Sequence, residues 1–203
     1  MPRPRTPLLS TDRIGDAAME LVDAGRPFGV NAVARHLGVT PSSLYHHVSG
    51  LDEIVELMRG RFAERYAPRM AEGDWDHAVA EALRVQRRMY GEHPLLVPLL
   101  SGKTVVDRRS LLWYEQIAAA LVRGGFRDDE LVIALSVIDA FAFGFGLDLA
   151  SPAEAWTATD DVPVLSRALA APLPPRGRRD EAFEWGLRML LDGLRARLAD
   201  RAG

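Results

Sequence analysis

The chain contains no cysteine among its 203 residues. Disulfide bonds, catalytic thiols and thiolate metal sites are therefore excluded, and the absence fits a reducing compartment. The longest apolar stretch, from Leu131 to Leu147, is interrupted by Ser136 and Asp139 and is short for a membrane span. No basic and then apolar leader is recognisable. We therefore expect a soluble, cytoplasmic protein with no membrane partner.

Enzyme motifs are lacking as well, because no glycine-rich phosphate loop, nucleophile elbow or HExxH is present. The adjacent His46 and His47 would point about 100° apart on a helix, which is poor geometry for a shared metal ion. The other histidines have no carboxylate at helical spacing, apart from Glu81 four residues after His77. We expect no catalytic site, no metal site and no cofactor.

Apolar residues recur at helical spacing along the whole chain, with no sustained alternation of period two. The 48% hydrophobic content and the length suit one large or two smaller domains. The pattern predicts an all-α fold, with helices over 12–23, from 74 or 76 to 90, and over 51–66, 107–124, 128–150, 164–170 and 180–200.

The sequence of residues 31–47 predicts two short helices joined by a glycine turn. Asn31 can cap the first helix, and Gly38 permits a tight exit from it. Thr40 can cap the second helix, with Pro41 at the first helical position, where its missing N–H is not needed. An ordinary helical hairpin gives the same local pattern. The preceding helix over 12–23 favours instead a three-helix DNA-binding head with a helix-turn-helix.

The second helix of this pair is too polar for a core element. Leu44 and Val48 can bury one side of it. The remaining side chains point largely outward and carry hydrogen-bonding groups: Ser42, Ser43, Tyr45, His46 and His47. We expect this helix to contact DNA, with Ser42 and Ser43 near base edges and Tyr45 near a phosphate or a thymine methyl.

The net charge of −3 is unusual for a nucleic-acid binder, but the charges are unevenly distributed. Residues 1–50 hold five arginines and four acids, so the negative excess lies in the rest of the chain. Arg3 and Arg5 lie in a proline-rich segment over 1–9 without acids. That segment is either a solvated terminus or a flexible arm that contacts the minor groove or phosphates.

The run AVARHLGVTPSSLYHHVSGLDEIV resembles the N-terminal domain of the tetracycline-repressor (TetR) family of bacterial transcription regulators. Lysines usually follow the recognition helix in that family, whereas this chain has Ser49 and Leu51 there. Ser49 and Asp52 can still form a capping box, and the amides of the next helix could hold a phosphate. The resemblance implies that the helix over 51–66 connects a DNA-binding domain, 1–50, to a domain over 51–203.

The stretch from His93 through YEQIAAALVRGGF to FAFGFGLDLA resembles, more loosely, the C-terminal domain of the tetracycline-repressor branch of this family. The resemblance implies a small-molecule pocket. The candidate lining residues are Met58, Phe62, Met89, His93, Trp113, Gln116, Phe141, Phe145 and Asp148, although aromatic and methionine side chains at helical spacing mostly fill cores. Near Lys103 and Thr104 there is no histidine of the kind that tetracycline–magnesium sensors use.

Two helices predict a homodimer. The last helix carries a broad apolar face, and the helix over 128–150 is apolar nearly all round, with Gly144 and Gly146 to let another backbone approach. Burial within the subunit is the alternative explanation. The resemblance favours a two-fold four-helix interface, for which the candidates are Ile138, Phe141, Phe145, Leu187, Leu191 and Leu194.

The sequence therefore predicts a homodimeric, ligand-responsive regulator that binds a palindromic operator in double-stranded DNA. A repressor released by a small, largely apolar effector is the favoured form. The alternative is a helical adaptor that binds protein and has no affinity for DNA. A steep salt dependence of DNA binding distinguishes the first from the second.

Overall fold

The computed structural model describes residues 9–66, 73–173 and 177–200. Within these ranges the chain forms ten α-helices and no strand, which confirms the all-α prediction. The helices are α1 (Thr11–Asp23), α2 (Val30–Leu37), α3 (Pro41–Tyr45), α4 (Leu51–Tyr66), α5 (Trp75–Glu92), α6 (Val97–Leu100), α7 (Arg108–Arg123), α8 (Asp128–Ala150), α9 (Pro163–Leu169) and α10 (Gly177–Ala199), with a 3₁₀ turn at Pro94–Leu96.

Local signals explain most of these boundaries. The Ser10 side chain accepts a hydrogen bond from the Arg13 amide and caps α1, and the Asp107 carboxylate caps α7. One predicted cap is wrong: α2 begins at Val30 with Gly29 as its N-cap, so Asn31 lies in the first turn. Asn31 is exposed there and does not cap the helix.

The first three helices form a small head around Ile14, Val33 and Leu44, all of which are fully buried. Helix α4 packs along α1 on one side and against α7 on the other. The approach to α7 is close, because a side chain at Gly60 would collide with the Asp107 carboxylate at the start of α7. Helix α4 is thus a shared wall between the head and the rest of the molecule.

Helices α5, α7, α8 and α10 form the larger bundle. Helix α8 buries one stripe that includes Ala134, Ile138 and Ala142. Gly146 continues the stripe against Tyr90 of α5 in the same subunit, whereas Gly144 is exposed with open space above it. The close approach predicted for Gly146 is therefore made within the subunit.

By length and composition α8 could cross a membrane, with a mean hydropathy of 1.9 over its most apolar window. Only 28% of that window is buried within the subunit. Large apolar side chains on its outer face are exposed, namely Val132, Ile133, Val137 and Leu147, and Trp185 and Met189 are exposed on α10. These six residues are called the outer apolar face below.

Candidate functional site

The turn between α2 and α3 has the geometry that its sequence predicts. Gly38 has φ of 70°, a left-handed conformation that a side chain would strain, and it ends α2. The Thr40 side chain then accepts a hydrogen bond from the Ser43 amide at 3.2 Å, with Pro41 in the first turn of α3. Leu44 and Val48 are buried against the head. These contacts fix the direction of α3 relative to α2.

The side chains of α3 and the turn after it are presented to solvent. Ser42, His46 and His47 are exposed, and Tyr45 is 54% exposed although it is a large aromatic residue. Ser43 differs from the prediction: it is half-buried, and its hydroxyl lies 2.9 Å from that of Thr40. Because Ser43 takes part in the cap, Ser42 has the freer hydroxyl.

The start of α4 also differs from the prediction. Glu53, not Asp52, closes the cap, since its carboxylate accepts the Ser49 amide at 2.6 Å and the Ser49 hydroxyl at 2.8 Å. The hydrogen bond from the Ser49 amide lowers the pKa of Glu53, so the carboxylate is charged at neutral pH. Asp52 instead pairs with Lys103. The negative charge of Glu53 would repel a DNA phosphate at the start of α4. The predicted phosphate contact at these amides is therefore disfavoured.

Arg3 and Arg5 lie outside the described residues. Within the described part of the head, Arg26 and Arg35 are exposed, and His36 pairs with Glu20 of α1 at 2.8 Å. The exposed surface of α3 is accordingly rich in hydroxyl, phenol and imidazole groups.

A second candidate site is a cavity of about 50 Å³ between α4, α5 and α7. Three of the nine predicted effector residues line it: Phe62, Met89 and Trp113. Its other walls are Arg59, Ala63, Gln86, Tyr90, Leu100, Ser110 and Tyr114. The cavity therefore combines three of the predicted aromatic and methionine side chains with polar residues other than those predicted.

Six predicted effector residues lie elsewhere. Met58 is fully buried in the core, and Gln116 is half-buried on α7 without facing the cavity. Phe141 and Phe145 pack on Phe183, each with ring centroids 5.5 Å from it. Asp148 pairs with Arg178 and Arg179 near the start of α10. His93 does not line the cavity, and its ring packs against that of Phe62, with the ring centroids 5.0 Å apart.

Arg59 is the main residue that the sequence analysis missed. It lies four residues after Val55 and three before Phe62, on the apolar stripe of α4, so its position gave a signal. It is 7% exposed, pairs with Glu56 at 2.9 Å and donates to the Leu100 carbonyl at 2.7 Å. Glu56 in turn accepts the amides of Val106 and Asp107. This buried pair fastens α4 to both ends of the segment between α6 and α7.

Two further hydrogen bonds involve polar side chains of the cavity wall. Gln86 donates to the Tyr90 hydroxyl at 2.8 Å, and the Tyr114 hydroxyl donates to Asp139 of α8 at 2.7 Å. Burial raises the pKa of all three titratable groups, Tyr90, Tyr114 and Asp139. The Tyr114 hydrogen bond partly offsets this for Asp139. The partner that a polar residue in an apolar helix requires is thus a neighbouring helix for Asp139.

The raised pKa of Asp139 gives a testable prediction of stability. A buried carboxylate with a raised folded pKa destabilises the fold increasingly as pH rises above its unfolded pKa. Asp139→Asn keeps an acceptor for Tyr114 and removes the charge. We therefore expect a higher melting temperature at neutral pH, by about 2–4 °C for each kcal/mol gained in the free energy of unfolding. The difference from the native chain should shrink as the pH falls from neutral, through the raised pKa of Asp139, to about 4, the ordinary pKa of an aspartate. A constant difference over that range would contradict the prediction.

The head is joined to the larger bundle by two groups of polar contacts. At one end of α1, Asp12 and Asp16 pair with Arg109 of α7 and Arg61 of α4. At the other end, Asp23 lies 2.8 Å from Nδ1 of His93, at the end of α5.

The Tyr66 hydroxyl lies 3.0 Å from Nε2 of the same His93 ring and also contacts Glu92. Burial and the contact with Glu92 raise the pKa of Tyr66 to about 12, so the phenol is neutral. His93 therefore joins the last residue of α1 to the last residue of α4. We call the set Asp23, Tyr66 and His93 the interdomain latch.

Within the described ranges, no group of three or more metal-binding side chains lies together. The exposed residues of α3 and the small cavity between α4, α5 and α7 remain the two candidate sites.

Known proteins are similar to this chain in sequence and in fold. Residues 67–198 match the family "Tetracyclin repressor-like, C-terminal domain". The curated HTH-type transcriptional repressor DrrR1 of Streptomyces coeruleorubidus is 28% identical, over 97% of this chain and 81% of that protein.

Two solved structures have the same fold. Apo ActR from Streptomyces coelicolor superposes with a TM-score of 0.81 at 22% identity, over 97% of this chain and 99% of that one. ActR in complex with actinorhodin gives a TM-score of 0.75 at 23% identity, over 94% and 97% of the two chains. Since the family match spans more than half of the sequence, this chain belongs to the tetracycline-repressor (TetR) family of transcription regulators.

Proposed function

We propose that the chain is a repressor that binds a palindromic operator as a homodimer and leaves it when a small, largely apolar effector enters the cavity between α4, α5 and α7. Residues 1–50 form the DNA-binding domain and residues 51–203 the effector-binding and dimerisation domain. The adaptor alternative has no support among the relatives, which are transcription regulators.

The observation that carries this proposal is the position of α4 between the two candidate sites. Arg59, Phe62 and Ala63 line the cavity, whereas Arg61 pairs with Asp16 of the head at 2.8 Å. Neighbouring residues of one rigid helix thus contact the effector site and the DNA-binding domain. A displacement of α4 by an effector must therefore also displace α1 or break its contacts with α4.

The size of the cavity supports a mechanism that requires movement. Pockets for small organic ligands usually measure ~300–1,000 Å³, so a cavity of about 50 Å³ must widen to accept one. Widening separates α4 from α5 or α7, and those helices are fastened to the head by the interdomain latch and by Arg109. The ActR complex with actinorhodin supports a ligand site in this fold.

For the operator, the proposal assigns direct contacts to α3 and the adjoining turn. Ser42 is placed at base edges, Tyr45 and His46 at phosphates or bases, and the arm with Arg3 and Arg5 at the backbone of the DNA. Thr40, Pro41, Ser43 and His47 support this surface, and Asn31 lies on the exposed side of α2. In a two-fold dimer the two copies of α3 must reach half-sites ~34–36 Å apart.

The dimer interface in this proposal differs from the predicted one. Ile138, Leu187, Leu191 and Leu194 are each at most 9% exposed within the subunit, so they cannot supply the contact surface. Phe141 and Phe145 pack toward Gly186, where a Cβ atom would lie 2.9 Å from Phe141. We assign the interface to the outer apolar face of α8 and α10, which a second copy would cover.

Selection of bound fragments from random DNA with the purified full chain tests the function. The expected result is a palindromic consensus bound at nanomolar concentration, with an affinity that falls steeply as salt rises. Fragments without a consensus, together with a flat salt dependence, would support the adaptor. A thermal-shift screen of small molecules on the same protein would then identify an effector.

The interdomain latch gives a prediction for release from DNA. His93→Phe keeps a ring beside Phe62 but loses the contacts with Asp23 and Tyr66. If the latch transmits the movement, the effector concentration for half-release should rise about tenfold, corresponding to ~1.4 kcal/mol of lost coupling. Operator affinity without effector should change little. Anisotropy of labelled operator DNA during effector titration measures both.

His36→Phe is the matched control, because His36 also lies 2.8 Å from a carboxylate, that of Glu20, but within the head. Its release curve should overlay that of the native protein. If the release curve of His93→Phe also overlays that of the native protein, the interdomain latch does not couple the effector cavity to the DNA-binding head.

A further inference from the structure

The interdomain latch holds three consecutive contacts between hydrogen-bonding atoms. The Asp23 carboxylate lies 2.8 Å from Nδ1 of His93, and Nε2 of the same ring lies 3.0 Å from the Tyr66 hydroxyl. That hydroxyl in turn contacts the Glu92 carboxylate. Each contact requires one hydrogen atom between its two heavy atoms. Both ends of the series are carboxylates, which accept hydrogen bonds and donate none.

Neutral side chains supply one hydrogen too few for this series. The Tyr66 phenol provides one, and a neutral imidazole provides one, on either Nδ1 or Nε2. If Nδ1–H donates to Asp23, then Nε2 and Glu92 compete for the single phenol hydrogen. If Nε2–H donates to Tyr66, then Nδ1 and Asp23 face each other with lone pairs. A doubly protonated His93 ring supplies the missing hydrogen and completes all three contacts.

The groups around the ring favour this charged form. Asp23 approaches it from α1, Tyr66 from α4 and Glu92 from α5, whereas the 3₁₀ turn Pro94–Leu96 carries no titratable side chain. Arg65 of α4 lies near Tyr66 and opposes the rise in the pKa of the phenol that burial and Glu92 cause. Among the described residues, two acids and one base thus surround the ring. The imidazole side chain is 12% exposed, so water can replace little of what it lacks.

The latch lies between the two candidate sites. Asp23 is the last residue of α1 in the head. On its other side the His93 ring packs on Phe62, and Phe62 lines the cavity between α4, α5 and α7. A hydrogen bond gained or lost at His93 therefore changes how firmly the head is held to the wall of the cavity.

We propose that the interdomain latch is a proton-sensitive joint, complete when His93 carries a proton on both ring nitrogens and one hydrogen bond short when the ring is neutral. Histidine is the side chain that ordinarily changes charge between about pH 5 and pH 8, so the joint tightens as pH falls through that range. The joint itself does not rest on the proposed repressor function. If that function holds as well, pH becomes a second input to release from DNA.

Imidazole nitrogen-15 spectra of the full, isotope-labelled chain between about pH 5.5 and pH 8.5 test the proposal, because the ring shifts report which nitrogens carry a proton. The exposed His46 serves as an internal reference. We expect the midpoint of the His93 titration to lie at least about one pH unit above that of His46. One unit corresponds to a roughly tenfold preference of the folded chain for the charged ring.

Two variants supply the missing hydrogen from another side chain. In Asp23→Asn the new amide can donate to Nδ1, and in Glu92→Gln it can donate to the Tyr66 hydroxyl, so a neutral ring completes the series in each. Both carboxylates lie at exposed positions, so the fold should be retained. The His93 midpoint should fall toward that of His46 in both variants.

Glu20→Gln is the matched control, since Glu20 lies 2.8 Å from His36 within the head. It should leave the titration of His93 unchanged.

Thermal melting gives a second measure of the same joint. If folding favours the charged ring, its stabilising contribution is largely present at about pH 6 and is lost as pH rises through the titration of the ring. The melting temperature of the native chain relative to Glu92→Gln should therefore fall by about 3–5 °C between about pH 6 and pH 8.5, for a tenfold preference.

The proposal is overturned if His93 titrates together with His46 in the native chain, if neither amide variant lowers its midpoint, or if the relative melting temperature stays constant over this range. Operator selection on the same protein separates the joint from the repressor function. A His93 midpoint above that of His46 without a DNA consensus would contradict the repressor function alone. A consensus with the two histidines titrating together would contradict the joint alone.

Discussion

Tyr45→Ala is expected to weaken operator binding by about 30-fold or more while leaving the melting temperature almost unchanged. One lost contact to DNA is worth ~1–3 kcal/mol, and a two-fold dimer loses it twice. Tyr45 is 54% exposed, so its removal opens no cavity in the head. Anisotropy with the selected operator and a thermal melt of the same sample measure the two quantities.

Leu44→Ala is the matched comparison, because Leu44 is the neighbouring residue of α3 and is fully buried. It should destabilise the head by ~2–5 kcal/mol and lose DNA binding together with the fold. Ser42→Ala should change which bases are preferred, since its hydroxyl is exposed and Ser43 takes part in the cap of α3. If Tyr45→Ala lowers stability as Leu44→Ala does, the DNA surface is not on α3.

If the outer apolar face is the dimer interface proposed above, Ile133→Glu and Met189→Glu should each convert the dimer into monomers. Both side chains are about two-thirds exposed in the subunit, at 66% and 65%, so a charge at either position costs the isolated subunit little. In a dimer the same carboxylates would be buried twice without partners, at a cost of several kcal/mol. Sedimentation at micromolar concentration should show folded monomers.

Operator affinity should fall by ~10²–10⁴-fold when the dimer is lost, because the second DNA-binding head is then no longer held at a high effective concentration near its half-site. Val122→Glu is the control, since Val122 is exposed on α7, away from the outer apolar face, and should leave the dimer intact. Leu187→Glu should unfold the subunit, because Leu187 is 1% exposed. If Ile133→Glu and Met189→Glu both stay dimeric, the surface around Trp156 and Val164 becomes the candidate interface.

Part of the mechanism was predictable from residue types and spacing. The cap at Thr40, the turn at Gly38 and the exposure of Tyr45 follow from local rules that involve residues only a few positions apart. Helix boundaries were similarly close, with α4 predicted over its observed range, Leu51–Tyr66. The cap at Ser49 was assigned to the wrong carboxylate, since both Asp52 and Glu53 are within reach of the chain at that point.

The lining of the cavity between α4, α5 and α7 was predicted much less completely. Arg59 and Gln86 are the polar residues that face the cavity, whereas the sequence predicted His93, Gln116 and Asp148 for this role. His93 was predicted to contact a ligand, and it contacts Asp23 of the head, 70 residues away in sequence. No local rule relates such distant residues.

The sequence by itself determined most of the helices, the cap at Thr40, the exposure of α3 and, through the family resemblance, the class of protein. Helical periodicity decides which residues share a face, because it depends on the geometry of one helix alone. It does not decide which face of α8 or α10 meets the subunit core, nor which polar side chains pair across helices. Those choices depend on how the helices pack together, and only the tertiary structure shows them.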